Sequence, residues 1–330
     1  MKRNLCIAVA LFATMTASAQ NIAAVSPGNE TTIYQTLDDA VSKAEEGSVI
    51  YLPGGGFQIK DETKITKKFT IMGVSHRGDT DNADGATIIS GNLNFEGGSS
   101  GSSIIGAYVS GNINVGTVEE PVTNITIRFC NVGSIQVRHS ESSGMVVNQC
   151  YLRSKCGFGY CNVRLENNVI YTAHSISGGY INHNIITSGS DYSYRRFYSL
   201  GLINNSSIIN NFFIANNLDG YNCSGENCYV ANNCILSGGW GEDCIVLDEE
   251  MTWDDVFVSN KGVVISSDYH FKDTWTKGVG KATDGTDIGL YGGSGFEMQH
   301  APIPRIVSKK VAEQTDGSGR LHIEVIVKSN

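Results

Sequence analysis

The sequence predicts an all-β solenoid, and three observations carry that expectation. Six short segments align through the middle of the chain, each an apolar strand followed by Asn or a near substitute and then apolar residues again. They are Ile127-Arg128-Phe129-Cys130, Val147-Asn148-Gln149-Cys150, Leu165-Glu166-Asn167-Asn168, Ile181-Asn182-His183-Asn184, Ile208-Ile209-Asn210-Asn211 and Val230-Ala231-Asn232-Asn233. Their last residues are spaced by 20, 18, 16, 27 and 22 positions, and a period near 20 with one short strand per repeat marks stacked coils that bury their apolar faces only against one another. Second, the residues three before and two after each final position are apolar throughout: Ile127, Val147, Leu165, Ile181, Ile208 and Val230, then Val132, Leu152, Ile170, Ile186, Phe213 and Ile235. Strand alternation sends these inward and their neighbours outward. Third, 38 Gly against 5 Pro among 330 residues suits many tight turns between strands.

Taken in order, the chain opens with a basic start (Lys2, Arg3), an apolar run from Leu5 to Phe12 and a small-residue site Ala17-Ser18-Ala19. This pattern predicts a cleaved secretory signal peptide over 1–19, its apolar run too short for a membrane span. Removing Lys2 and Arg3 takes the basic count from 24 to 22 against 33 acidic residues, a net charge of −11. Such a balance disfavours nucleic acid and anionic membrane surfaces as partners. No later stretch is long and apolar enough to span a bilayer. The expected location is the periplasm, the cell surface or the exterior.

One helix signal follows. Thr36 is a cap with Asp39 three positions on, and Ile33, Leu37, Ala40, Val41 and Ala44 share a face. Gly47 closes it, and Val49-Ile50-Tyr51-Leu52 reads as the first strand. Further short strands are expected at 69–73, 86–89 and 103–106, which gives nine or ten coils. The end of the chain differs: a turn-rich segment 284–293, then a β-hairpin with arms 302–311 and 320–328 around Thr315-Asp316-Gly317-Ser318-Gly319, its alternation carried by Leu321, Ile323, Val325 and Val327. Solenoids need closed ends, so the first helix and this tail are expected to be the caps. The resulting organisation is 1–19 signal peptide, 20–283 solenoid with its N-terminal cap, and 284–330 turn segment and hairpin cap.

The aligned position itself is structural. Cys130, Cys150, Asn168, Asn184, Asn211 and Asn233 form an expected interior ladder, since Asn at a repeated turn bonds the amides above and below and tolerates left-handed backbone. Eight cysteines follow the signal segment, and an even count in an exported chain permits disulfides; the pairs Cys156/Cys161 and Cys223/Cys228 share a four-residue gap. No CxxC or HxxxH spacing points to a metal, and nothing points to a cofactor.

The entry Ile33-Tyr34-Gln35-Thr36-Leu37-Asp38-Asp39-Ala40-Val41, followed by Gly47-Ser48-Val49-Ile50-Tyr51-Leu52-Pro53-Gly54-Gly55, and then Lys68-Phe69-Thr70-Ile71-Met72-Gly73, resembles the first coils of the pectin-lyase-like superfamily of right-handed parallel β-helices. The segment 283–293 with Ile303-Pro304-Arg305-Ile306 resembles the ending of secreted bacterial β-helix proteins. The resemblance covers roughly 30–330 and implies the fold, right-handed and parallel. It also raises lyase and hydrolase chemistry on acidic polysaccharides, and here the residues part company with it. Calcium-dependent lyases of that family cluster carboxylates on adjacent coils, whereas only Glu166 lies on an aligned strand in this chain. Of the pectin hydrolase signatures only Asp254-Asp255 matches, without its companions, and no spaced carboxylate pair stands ready for glycoside hydrolysis.

Two regions remain as candidate binding elements. Outward columns place Arg128, Asn148 and Glu166 two residues before the aligned position, and Arg164 and Tyr180 four before it; coils stack about 4.8 Å apart, so Arg128 and Glu166 stand roughly 9–10 Å apart with Asn148 between. Arg suits carboxylates and Tyr suits stacking, and an ordinary solvated sheet face is the competing reading. The longest spacing holds a protruding aromatic and basic loop with Asp191, Tyr192, Tyr194, Arg195 and Arg196, read equally as a binding element or as a loop packing its aromatics on the coil below; Trp240-Gly241-Glu242-Asp243 reads as core or cap packing, with a second contact point as the competing reading. His139, His174 and His183 have no metal spacing. The expectation is a non-catalytic exported protein that binds a polysaccharide or a surface protein. A lyase or glycoside hydrolase with an unfamiliar site, using Arg128, Arg164, Glu166, Tyr180 or the loop, is the alternative, and a purely structural surface protein is the third.

Overall fold

The computed structural model describes residues 21–77, 85–187, 200–214, 226–235, 241–248, 250–296, 305–312, 314–315 and 317–328. The signal segment, the loop carrying Asp191 to Arg196, Cys223 and Trp240 lie outside the described residues. Two large sheets dominate, one of 11 strands and one of 13. Every pair in the second is parallel, as is the first from Val49–Leu52 onward; only the opening strands Ile22–Val25 and Thr31–Tyr34 run antiparallel. The chain is therefore all-β with stacked parallel coils, as the period implies.

Each coil is built the same way. A short strand of the first sheet, such as Val163–Glu166, runs into one residue with positive φ, then an inward residue, then a strand of the second sheet, here Val169–Ser177. The left-handed residues are Phe129, Gln149, Asn167, His183, Asn210 and Asn232, all at φ between 51° and 58°. This differs from the expectation. The ladder asparagines do not themselves take the left-handed backbone; the residue before each does, because the chain must turn the corner before the ladder side chain can point inward. Asp243 (φ 47°) followed by Cys244 and the strand Ile245–Val246 repeats the unit once more, as does Gly106 before Ala107. The sequence alignment missed Cys244 because it follows Asn233 by only 11 residues.

At the inward position the amides form a continuous ladder. Asn168 Oδ1 accepts from Cys150 N at 2.9 Å, Asn184 Oδ1 from Asn168 N at 3.0 Å, Asn211 Oδ1 from Asn184 N at 2.9 Å and Asn233 Oδ1 from Asn211 N at 2.9 Å. Their Nδ2 groups donate back to the Val147, Leu165, Ile181 and Ile208 carbonyls of those same preceding coils. All four asparagines are fully buried, so the network satisfies polar groups that would otherwise be costly. Cys130 and Cys150 continue the column, Cys150 Sγ reaching the Ile127 carbonyl.

Around the ladder the inward residues three before and two after each ladder position pack into one apolar core with almost no exposure, except Val230, which is half-buried against it. Helix Leu37–Lys43 joins it through Leu37, Ala40 and Val41, with Thr36 Oγ1 accepting from Asp39 N at 3.1 Å. Ile33 does not share that face: it lies in Thr31–Tyr34 and is exposed. Cys156 and Cys161 are free thiols, both buried in the single strand Tyr151–Cys161. A strand rises about 3.3 Å per residue, which carries residues five apart well past disulfide reach. Burial holds their thiols protonated, at about 12 and about 11. Cys228 is free as well.

The tail is placed differently from the expected cap. A second apolar cluster covers the outer face of the second sheet, where Tyr151, Val169, Ile185, Phe212 and Cys234 stack coil on coil and Leu247 with residues 250–296 packs over them. Phe212 sits in an aromatic nest, with ring centroids of Phe257 at 5.0 Å, Phe271 at 5.6 Å and both Trp253 and Trp275 at 5.9 Å. Residues 281–296 then run back along the corner column as a strap. Asn232 Nδ2 donates to Lys281 O at 2.7 Å, Thr283 N to Asn210 Oδ1 at 2.9 Å, and Asn167 Nδ2 to Leu290 O and Gly292 O at 2.9 and 2.8 Å. His183 lies between Asp284 Oδ2 and Gly289 O, each at 3.2 Å. Beyond it, Arg305–Val311 pairs antiparallel with Ile323–Lys328 as the alternation implies, yet Val311, Ile323, Val325 and Val327 stay about half exposed. Residues 281–296 thus follow the apolar column along the side of the stack and bury it.

Two outcomes follow. Asn184→Ala strands several buried donors and acceptors, and a loss of roughly 3 kcal/mol is expected in denaturant titration. Asn184→Cys should lose less, because sulfur already serves at positions 130 and 150. Partial burial alone would raise the Asp284 carboxyl, but hydrogen bonds from Thr286 and His183 outweigh it and hold the group below its usual value of 3.8. A depressed carboxylate contributes above its unfolded pKa and loses that contribution as the pH falls through the folded one. Protection of the Thr283 and Gly289 amides in hydrogen exchange should therefore fall below about pH 4, and Asp284→Asn should abolish that acid step.

Candidate functional site

With the second sheet's outer face covered, the first sheet's outer face is the place to look for chemistry. Its strands hold the registers Thr126, Val146, Arg164, Tyr180, Ser207, Tyr229 and Arg128, Asn148, Glu166, Asn182, Ile209, Ala231. Parallel pairing without slips puts equivalent side chains on one line, one strand spacing of about 4.8 Å apart. Arg128, Asn148, Arg164, Glu166 and Tyr180 thus come together on four adjacent strands, and Asn182 extends the row.

The group is internally bonded. Arg128 Nε donates to Asn148 Oδ1 at 3.3 Å, and Asn148 Nδ2 donates to Glu166 O at 3.2 Å. Arg164 grips the Glu166 carboxylate with two donors, Nη2 to Oε1 at 2.8 Å and Nε to Oε2. Its guanidinium lies 5.0 Å from the Tyr180 ring centroid, and that of Arg128 lies 5.2 Å from the Phe129 ring. The Glu166 carboxylate tightens the proton on Arg164, while burial and then Glu166's charge raise the Tyr180 phenol. Two guanidinium groups, an amide, a carboxylate and a flat ring therefore line one surface. Such a surface can take hydroxyl and carboxylate groups from an extended ligand. Arg164 is the most open member, with 56% of its side chain exposed, against 16% for Glu166.

Other sequence candidates have structural duties. Asp255 accepts from Thr252 N and Oγ1 at the start of helix Trp253–Val256. His183 fastens the strap, Glu242 bridges Ala231 at the foot of the row, and Asp243 takes a left-handed corner. Among the described residues no group of three or more His, Cys, Asp or Glu side chains is placed to hold a metal ion, and no helix is long and apolar enough to cross a membrane. Sequence reasoning did not single out the corner asparagines as anchors for the tail. The signal was present in the alternation of ladder Asn with a second polar residue just before it, as in Asn167-Asn168 and Asn210-Asn211.

Comparison with known proteins adds no assignment: no family model, curated protein or solved structure matches the chain.

The Arg164–Glu166 pair is half in solvent, where such pairs contribute little. Arg164→Ala should therefore shift the denaturation midpoint by an amount worth less than about 1 kcal/mol, which leaves this position open to binding tests on folded protein.

Proposed function

We propose that the protein is an exported right-handed parallel β-helix that binds a polysaccharide on the outer face of its first sheet without cleaving it. The observation that carries this reading is the unequal treatment of two sheet faces. One is apolar and covered by Leu247 and residues 250–296; the other presents Arg128, Asn148, Arg164, Glu166 and Tyr180 in register across four strands. A repeating row of polar side chains at strand spacing suits a repeating ligand. The two arginines favour an acidic glycan, and the ring under Arg164 offers a stacking face.

Support for binding over catalysis comes from Glu166, whose carboxylate is held by Arg164 through two hydrogen bonds rather than set beside an open position for water. The parallel sheets are compatible with the pectin-lyase-like resemblance, and the opening helix with its antiparallel strands suits the role of a cap at that end. The segment at 1–19 supports export, and the loop with Tyr192, Tyr194, Arg195 and Arg196 is a further candidate contact.

The test is an array of plant, host and bacterial polysaccharides probed with purified protein, with and without calcium. Retention on one or more acidic glycans, weakened about tenfold by combined Arg128→Ala and Arg164→Ala, is expected. New chain ends released from the bound glycan would instead establish an enzyme, and no retention on any glycan would leave a structural or protein-binding role.

A further inference from the structure

A second site lies away from the arginine row. Where the coil leaves Leu200–Asn204 and enters Ser207–Ile209, and where the next coil approaches Tyr229–Ala231, an open groove of about 580 Å3 is lined by Leu202, Asn204, Asn205, Glu226 and Asn227. Its volume falls within the range of small-molecule sites, roughly 300–1,000 Å3. Its walls are tied coil to coil: Asn205 N donates to Glu226 O at 2.9 Å, Glu226 N to Asn204 Oδ1 at 3.0 Å and Asn227 Nδ2 to Asn205 Oδ1 at 3.4 Å. Those bonds fix the amides yet use only part of their capacity. Among the described residues Asn204 Nδ2, Asn205 Nδ2, Asn227 Oδ1 and the Glu226 carboxylate make no side-chain hydrogen bond.

The lining selects its ligand by elimination. Among the described lining residues an anion finds no Lys or Arg and meets the charge of Glu226. A hard cation needs several carboxylates and, among the described lining residues, finds one. An apolar ligand would strip water from four polar side chains without replacing their bonds. A neutral polyol fits all five residues: hydroxyls both donate and accept, as an amide does, and the C–H face of a sugar ring can rest on an exposed aliphatic surface. Leu202 offers that surface. It is 51% exposed and holds φ at 54°, a left-handed backbone that is uncommon for a bulky side chain.

We propose that this groove binds a short neutral oligosaccharide, with Asn205, Asn227 and Glu226 holding vicinal hydroxyls and Leu202 under a ring. The site is independent of the acidic-glycan reading, because it shares no residue with the arginine row.

The experiment is calorimetric titration and ligand-observed NMR of the purified protein with gluco-, xylo- and manno-configured neutral trisaccharides, beside an oligouronide. Binding of at least one neutral trisaccharide is expected, weakened about tenfold or more by combined Asn205→Ala and Asn227→Ala. Leu202→Gly is the second variant: glycine accepts the left-handed backbone more readily, so this variant should fold with an unchanged or higher thermal midpoint and still lose about fivefold or more in affinity. Arg164→Ala should leave neutral binding intact while weakening any oligouronide binding. The proposal is overturned if no neutral trisaccharide binds, if binding survives both groove variants within about twofold, or if Arg164→Ala alone removes it. Neutral binding in a protein that ignores the oligouronide would sustain the groove and sink the acidic-glycan reading.

Discussion

Each coil of this protein must turn from one sheet to the next without leaving a buried amide unpaired. The corner does so with two consecutive residues of opposite character, a left-handed residue facing outward and a ladder residue facing inward. The inward amide carries the stack: each asparagine accepts from an N–H and donates to a carbonyl of the coil before it, and Asn168, Asn184 and Asn211 also donate to the ladder amide oxygen of the coil after it. Register follows from it, since a one-residue slip would reverse every side chain between core and surface. The polar row on the first sheet and the apolar row on the second are both consequences of that fixed register.

The outward corner residue has its own use. A left-handed non-glycine backbone costs roughly 1 kcal/mol or more, yet Asn167, His183, Asn210 and Asn232 occupy the corner rather than glycine. Their side chains hold the strap over residues 281–296, so a local cost in each coil is offset by long-range attachment. Gly289 illustrates how close that attachment is, since a Cβ there would stand 2.5 Å from the Phe212 ring.

Much of this was legible in the sequence, and the limits have physical causes. The 20-residue period and the apolar offsets of −3 and +2 located the core, because inward positions obey strand alternation whatever packs outside. The arginine row could be ordered by counting alone. The outer core could not, since Tyr151, Val169, Ile185 and Phe212 adjoin inward residues and read as extensions of the same apolar runs. Two successive apolar residues after each ladder position are the mark of a strand buried on both faces. The hairpin's alternation predicted its antiparallel pairing, because alternation marks which strands can pair but not what covers their apolar face. The groove at Leu202 and Asn227 escaped because its residues, in the strand Leu200–Asn204 and the turns beside it, lie outside the aligned segments.

The strap also changes how the molecule can come apart. A stack of coils with contacts only between neighbours can fray one rung at a time from either end. A cord tied at Asn232, Asn210, His183 and Asn167, and resting on Tyr151 through Phe296 at 5.6 Å, spans five rungs at once. Peeling the last coil then strains bonds four coils away. The lower half of the stack should open as one mechanical block, and a single proteolytic cut within the cord would return it to unravelling rung by rung.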